Sequence, residues 1–377
     1  VAVPELAVAV LAHVLLAIGC FGVVRRRAAV HTRRAKTGHE AALSLRRLRR
    51  RSYLFGGLAA IALAVVDGFD GAVRSLLAAV VPSAVGEPSG TATVAVATLL
   101  GPVLVVALAV QLAALPYRRE ARALDLAAHQ VVTWFATRLP APVLAALVAT
   151  VVVWATPPGW PRVATVVALS AVSMAGLPYL LAYVFRARSP TLDEASAVGS
   201  LPDDVALRVI DDGVRVGSVF AAGVLPRARY VFVTAGLFDV LSDDELAAVV
   251  AHEVGHHRRG HVVGRYLLVG VPVVALIAAA EFEVPHALLA AAVLVVPYLL
   301  AVARVVRWTE FDADAYAARV VGASPMAEAL HALARRHLVL STTGLLASAV
   351  SFHPTVAARM GRLYDSVPGA PAGSAAT

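Results

Sequence analysis

Apolar residues fall in long unbroken runs along most of this chain, and polar residues gather in the segments between them. A helix needs about 20 mostly apolar residues to cross a bilayer. Residues 6–24, 91–116 and 163–185 meet that length. Residues 53–66 and 141–156 are shorter runs of the same kind, and 266–280 with 287–303 form a later pair that turns at 281–286. The pattern predicts a mainly α, polytopic membrane protein with about seven spans.

Three stretches break the pattern. Residues 121–138 mix Leu, Val, Trp134 and Phe135 with Arg122, Asp125 and His129, as expected of an amphipathic helix on a membrane surface. Residues 190–263 are a polar block. Within it, β-branched runs at 206–210, 215–220 and 230–234, bounded by Gly213, Gly223 and Pro226, predict a small antiparallel sheet. Residues 326–366 read as soluble helix, and the Pro, Gly, Ala and Ser of 368–377 as disorder. The expected organisation is a membrane region over 1–189 with about five spans, an α+β domain over 190–366 interrupted by a transmembrane hairpin at 266–303, and a tail over 367–377.

Composition strengthens the membrane reading. Hydrophobic residues make up 59% of the chain and charged ones 15%, with mean hydropathy +0.76; soluble domains carry roughly 45–50% apolar residues. The net charge of +8 is almost wholly Arg, Lys36 being the only lysine. These cations cluster beside apolar runs, which favours cytoplasmic membrane flanks over nucleic-acid binding. Residues 25–51, 117–138 and Arg186 fall on one side, and the Arg-poor loops 67–91, 157–162 and 281–286 on the other. By the positive-inside rule, Arg186, Arg258, Arg259, Arg304 and Arg307 put the polar block in the cytoplasm. The first run has no basic segment before it and reads as a retained anchor with its N-terminus outside. Cys20 is the sole cysteine, so no intramolecular disulfide forms. His13 reads as a packed, hydrogen-bonded side chain within the first span.

The chemistry concentrates at His252-Glu253-Val254-Gly255-His256. On a helix, two imidazoles four residues apart share a face and reach one metal ion, and the carboxylate between them can take a proton from a metal-bound water. Ser242-Asp243-Asp244-Glu245 is a capping box that opens such a helix, and Leu246, Val249 and Val250 continue it into His252. Zinc requires a third protein ligand and one open position. His257 faces about 100° away from His256. His261, five residues past His256, is poorly phased and suits a surface or interfacial role. Glu310 and Asp314, again four apart, are the stronger candidates: one ligates while the other orients a histidine. Two crossings separate the histidines from Glu310, so all three return to one side of the membrane. A transporter would need ionisable residues deep in several spans, and most have none. A zinc-binding regulator without turnover would not need an intact Glu253.

Four separated motifs resemble peptidase family M48, which includes HtpX-type membrane proteases and CaaX prenyl proteases. They are Ser218–Gly223 with Val231–Leu237, then Leu241–Leu246 leading into His252–His256, then Glu310 with Asp314, then His353-Pro354 followed by Arg359. The resemblance covers about residues 205–363 and implies a gluzincin-like catalytic domain, which the arginine flanks place in the cytoplasm. It implies Zn2+ on His252, His256 and Glu310, Asp314 behind them, and Glu253 as general base. His353 and Arg359 would lie near the substrate, and Phe220, Ala221, Ala222 and Gly223 would line an edge strand for it. The expected activity is zinc-dependent endopeptidase action on peptides or membrane proteins, with quality control, prenyl-peptide processing or one dedicated substrate as possible settings.

Overall fold

Helix follows the apolar runs in the computed structural model, which describes residues 3–36, 38–66, 69–80, 88–122, 127–211, 218–335 and 354–365. The chain divides into two compact units, Val1–Thr165 and Val166–Thr377. The first holds α1 (Val3–Arg34), α2 (Gly38–Val66), α3 (Phe69–Val80), α4 (Pro88–Arg122), α5 (Ala128–Arg138) and α6 (Pro140–Ala155). α1, α2 and α4 meet around Val24, Ala28, Leu45, Ala60, Val106, Val110 and Ala113, all buried. The small side chains of Ala28, Ala60 and Ala113 let the helices pack closely. His13 is buried there, its Nδ1 2.9 Å from Ala9 O and its Nε2 3.4 Å from Ala60 O, in keeping with a packed, hydrogen-bonded side chain.

Among the described residues, six helices are long and apolar enough to cross a membrane: Ala7–Arg34, Leu100–Glu120, Ala128–Ala155, Trp160–Val184, His261–Glu281 and Leu289–Val321. The expected span at 53–66 is not among them. It forms the end of α2, continuous with the basic residues through Arg51, so no polar break isolates it as a separate spanning helix. Residues 128–138, expected to lie on a surface, occupy α5, and only Leu139 parts them from α6. Leu139 itself is helical (φ −77°, ψ −26°) and Pro140 stands at the first position of α6. Proline is pre-organised for that place, so one helix restarts directly on the other.

The second unit begins within α7 (Trp160–Val184) and continues through β1 (Ala187–Arg188), α8 (Leu192–Val198), β2 (Val205–Ile210), β3 (Val219–Ala222) and β4 (Arg229–Thr234). The strand order is β1-β2-β4-β3. β3 pairs antiparallel with β4, Phe220 opposite Phe232. β2 runs parallel to β4, Val209 opposite Val233. The sheet is therefore mixed rather than antiparallel throughout. Alternation along a strand fixes which side chains share a face but carries nothing about the direction of the partner. β3 takes in Val219 and Phe220 of the expected run at 215–220 and continues to Ala222; residues 212–217 lie outside the described set.

The β3–β4 connection turns at Gly223, whose φ is +99° and whose added Cβ would stand 1.8 Å from Ala228 O. A side chain there meets both backbone strain and a fixed carbonyl. Gly223→Ala is expected to cost more than about 1–3 kcal/mol, read as a lowered unfolding midpoint of the purified chain in detergent. An unchanged midpoint would remove Gly223 as the determinant of this turn.

α9 (Asp243–Arg258) lies on the sheet and is followed by α10 (His261–Glu281), α11 (Ala287–Val321), α12 (Ala323–Arg335) and α13 (Val356–Asp365). The core between them joins Leu207, Val231 and Val233 of the sheet to Leu246, Val250 and Val254 of α9 and Met326 and Leu330 of α12. α10 and the first half of α11 contribute almost nothing to it. Leu267, Val269, Val271, Leu289, Val293 and Val296 are exposed, and at about 1.5 Å per residue α10 matches a hydrocarbon layer of about 30 Å. The same 35-residue α11 that starts as a span carries Glu310 and Asp314 near its other end.

Candidate metal centre

α9 is fixed at its start. Ser242 Oγ accepts from the Glu245 backbone N–H at 3.3 Å and Glu245 Oε2 accepts from the Ser242 N–H at 2.9 Å, the reciprocal cap that the sequence carries. Asp243, Asp244 and Glu245 stand at the helix's positive end. The apolar positions lock the helix into the core, which sets the direction of His252 and His256. Their ring centroids are 4.8 Å apart. Gly255, between them, allows α11 to come close: a Cβ there would meet the Tyr316 side chain at 3.1–3.2 Å.

That approach delivers Glu310. Its Oε1 lies 3.4 Å from His256 Nε2 and its Oε2 3.7 Å from His252 Nε2. One donor atom from each of the three residues falls within 4.8 Å of the others. All three side chains are buried, at 5%, 3% and 3% exposure for His252, His256 and Glu310. Two imidazole nitrogens and one carboxylate oxygen, converging without forming tight bonds to one another, are the donor set of a catalytic zinc site, so the residues fit such an ion.

Asp314, one turn beyond Glu310, accepts from His252 Nδ1 at 2.8 Å. Arg359 of α13 grips the same carboxylate twice, Nε to Oδ2 at 2.7 Å and Nη2 to Oδ1 at 2.5 Å. With the proton on Nδ1, the lone pair of His252 is left on Nε2, facing Glu310. Burial acts to lower the His252 pKa, but the neighbouring carboxylates of Asp314 and Glu310 outweigh that and raise it to about 9. Burial lowers the pKa of His256 and of His257.

Glu253 is half-buried on α9, and its charge favours the protonated form of His256. Phe220, Ala221 and Ala222 belong to β3, one of the two edge strands of the sheet among the described residues, with Gly223 just after it. His353 lies outside the described residues. His257 stands apart from the cluster as the helical angle requires, bonded through Nε2 to Tyr230 O at 3.1 Å.

His261 departs from expectation. It is buried, and its Nδ1 is 3.0 Å from His256 Nδ1. Gly260 adopts a left-handed conformation (φ 71°) that ends α9 and begins α10, so five-residue spacing no longer measures an angle on one helix. Arg265 is a further partner of the cluster. Its Nη2 donates to Glu310 Oε1 at 2.6 Å and to Thr309 Oγ1 at 2.9 Å. The available signal was its place as the lone cation in α10 after His261, one turn on and just ahead of the apolar run.

The chain is similar to known proteins. Residues 191–367 match the profile of peptidase family M48. The chain is 33% identical over 107 residues to "Protease HtpX homolog" of Aeropyrum pernix, covering 26% of this chain and 33% of that protein. It is 30% identical over 159 residues to "Protease HtpX" of Salmonella arizonae, covering 36% and 54%. The match thus spans about half or less of these curated relatives' own length. The crystal structure of S. mikatae Ste24p superposes with a TM-score of 0.62 at 15% identity, over 96% of this chain and 99% of that one, a likeness of fold that takes in the membrane helices.

Proposed function

Residues 191–367 are a domain of peptidase family M48, and from that premise we propose that this multi-pass membrane protein is a zinc-dependent endopeptidase. The observation that carries the reading is the buried convergence of His252, His256 and Glu310 donor atoms within 4.8 Å. These three residues would hold one Zn2+. When bound, zinc supplies Lewis acidity that acidifies a water and polarises the scissile carbonyl. Glu253, beside His252 on the same helix, accepts the proton of the attacking water and passes it to the leaving amine. Asp314, clamped by Arg359, keeps the His252 proton on Nδ1 and the ring aimed at the ion.

An extended peptide would bind along β3, an edge strand among the described residues, where backbone bonds give affinity and Phe220, Ala221 and Ala222 give selectivity. His353 is proposed as a donor to the developing oxyanion; loss of such a donor costs about 10²–10³ in rate. The flanking Arg186, Arg258, Arg259, Arg304 and Arg307 support a cytoplasmic catalytic face. Peptides or membrane proteins presented at that face are the proposed substrates, with membrane-protein quality control as the setting.

The test is cleavage of an unstructured reporter peptide by the full chain in detergent or liposomes. Removal of metal with a chelator is expected to stop cleavage, and stoichiometric zinc to restore it. Cleavage that persists in metal-free protein would rule the reading out.

A further inference from the structure

We propose that His256 is held in its metal-binding tautomer by His261, itself set by Asp312, so that each ligand histidine is backed by its own carboxylate on α11. The inference rests on the zinc reading above and extends it to two residues outside the ligand set.

The argument follows the protons. To ligate through Nε2, which faces Glu310 at 3.4 Å, neutral His256 must carry its proton on Nδ1. That Nδ1 lies 3.0 Å from His261 Nδ1. Two nitrogens at that distance need one hydrogen between them, so His261 Nδ1 must accept. Neutral His261 then carries its own proton on Nε2. Nε2 is buried and makes no aligned hydrogen bond among the described residues, and Asp312 Oδ2 stands 3.2 Å away. Asp312 Oδ2 is also 3.6 Å from Arg259 Nε. A small turn of the half-buried carboxylate completes the chain Asp312, His261, His256. His252 reaches Asp314 directly at 2.8 Å. Glu310, Asp312 and Asp314 thus serve one centre from alternate positions of a single helix: Asp314 holds one histidine, Asp312 holds the other at one remove, and Glu310 joins both at the ion.

His261 and Asp312 are positioning residues, and their loss should appear in metal affinity before any turnover. Zinc affinity of the full chain in detergent, measured by competition with a chelating dye, is expected to fall about 10–100-fold in His261→Ala and measurably in Asp312→Ala. His261→Gln should recover most of the loss, because its amide oxygen can accept from His256 Nδ1. In that Gln background Asp312→Ala should add nothing, since the relay no longer passes through a ring. The visible absorption of cobalt-loaded protein should shift in His261→Ala and return in His261→Gln, a change that a packing defect alone would not reverse. If the wild type binds zinc and both Ala variants bind it equally well, the relay is wrong while the metal site stands. If the wild type binds no zinc, the underlying site has failed.

Discussion

Glu253→Gln is expected to reduce peptide cleavage by about 10²–10⁴-fold, the range for loss of a positioned general base, and to leave zinc content unchanged. The substitution keeps the shape of the side chain and removes its ability to take a proton. Glu253 is only half-buried and is not among the three converging donors, so the metal cluster has no reason to alter. The check is a turnover comparison at equal metal content. A Gln variant cleaving at the wild-type rate would end the general-base assignment. One that lost its zinc would make Glu253 a ligand instead.

The second large effect concerns stability. Arg359 is 6% exposed and Asp314 2%, and each satisfies the other through two short hydrogen bonds. Asp314→Ala strands a buried guanidinium and frees the Nδ1 proton of His252. Breaking one side of such a pair costs about 3–5 kcal/mol, roughly a 6–20 °C lower midpoint for a domain of this size. Zinc affinity should fall with it, because His252 loses the partner that fixes its tautomer. Replacing both partners, Asp314→Ala with Arg359→Leu, should recover part of the stability and none of the affinity, since no uncompensated charge remains but the histidine is still unsupported. Equal midpoints for wild type and the single variant would show that the pair contributes nothing to folding.

What the sequence made legible was local and periodic. Ser242 and Glu245 announced where α9 begins, and the spacing of His252 and His256 announced one face of it, because capping and helical phase depend only on neighbours along the chain. Glu310 and Asp314 could be brought back to those histidines by counting two membrane crossings. Hidden were the features that depend on chain reversals and junctions. The left-handed turn at Gly260 brought His261 under His256, where spacing on one helix had put it elsewhere. β2 joined β4 in parallel, which strand alternation does not encode. The apolar run at 53–66 merged with the arginines before it into α2, since a helix can run on from a polar segment into an apolar one without a break. Arg265 closed on Glu310 across two helices, a pairing set by the α10–α11 hairpin and by no motif.

The most direct test of the metal centre is elemental analysis of the purified full chain beside Glu310→Ala. Two imidazoles from α9 and one carboxylate from α11 predict near-stoichiometric zinc in the wild type and a large loss in the variant, with both proteins equally folded by far-UV circular dichroism. Wild-type protein that takes up no zinc, or a Glu310→Ala variant that holds it as tightly, would contradict the site.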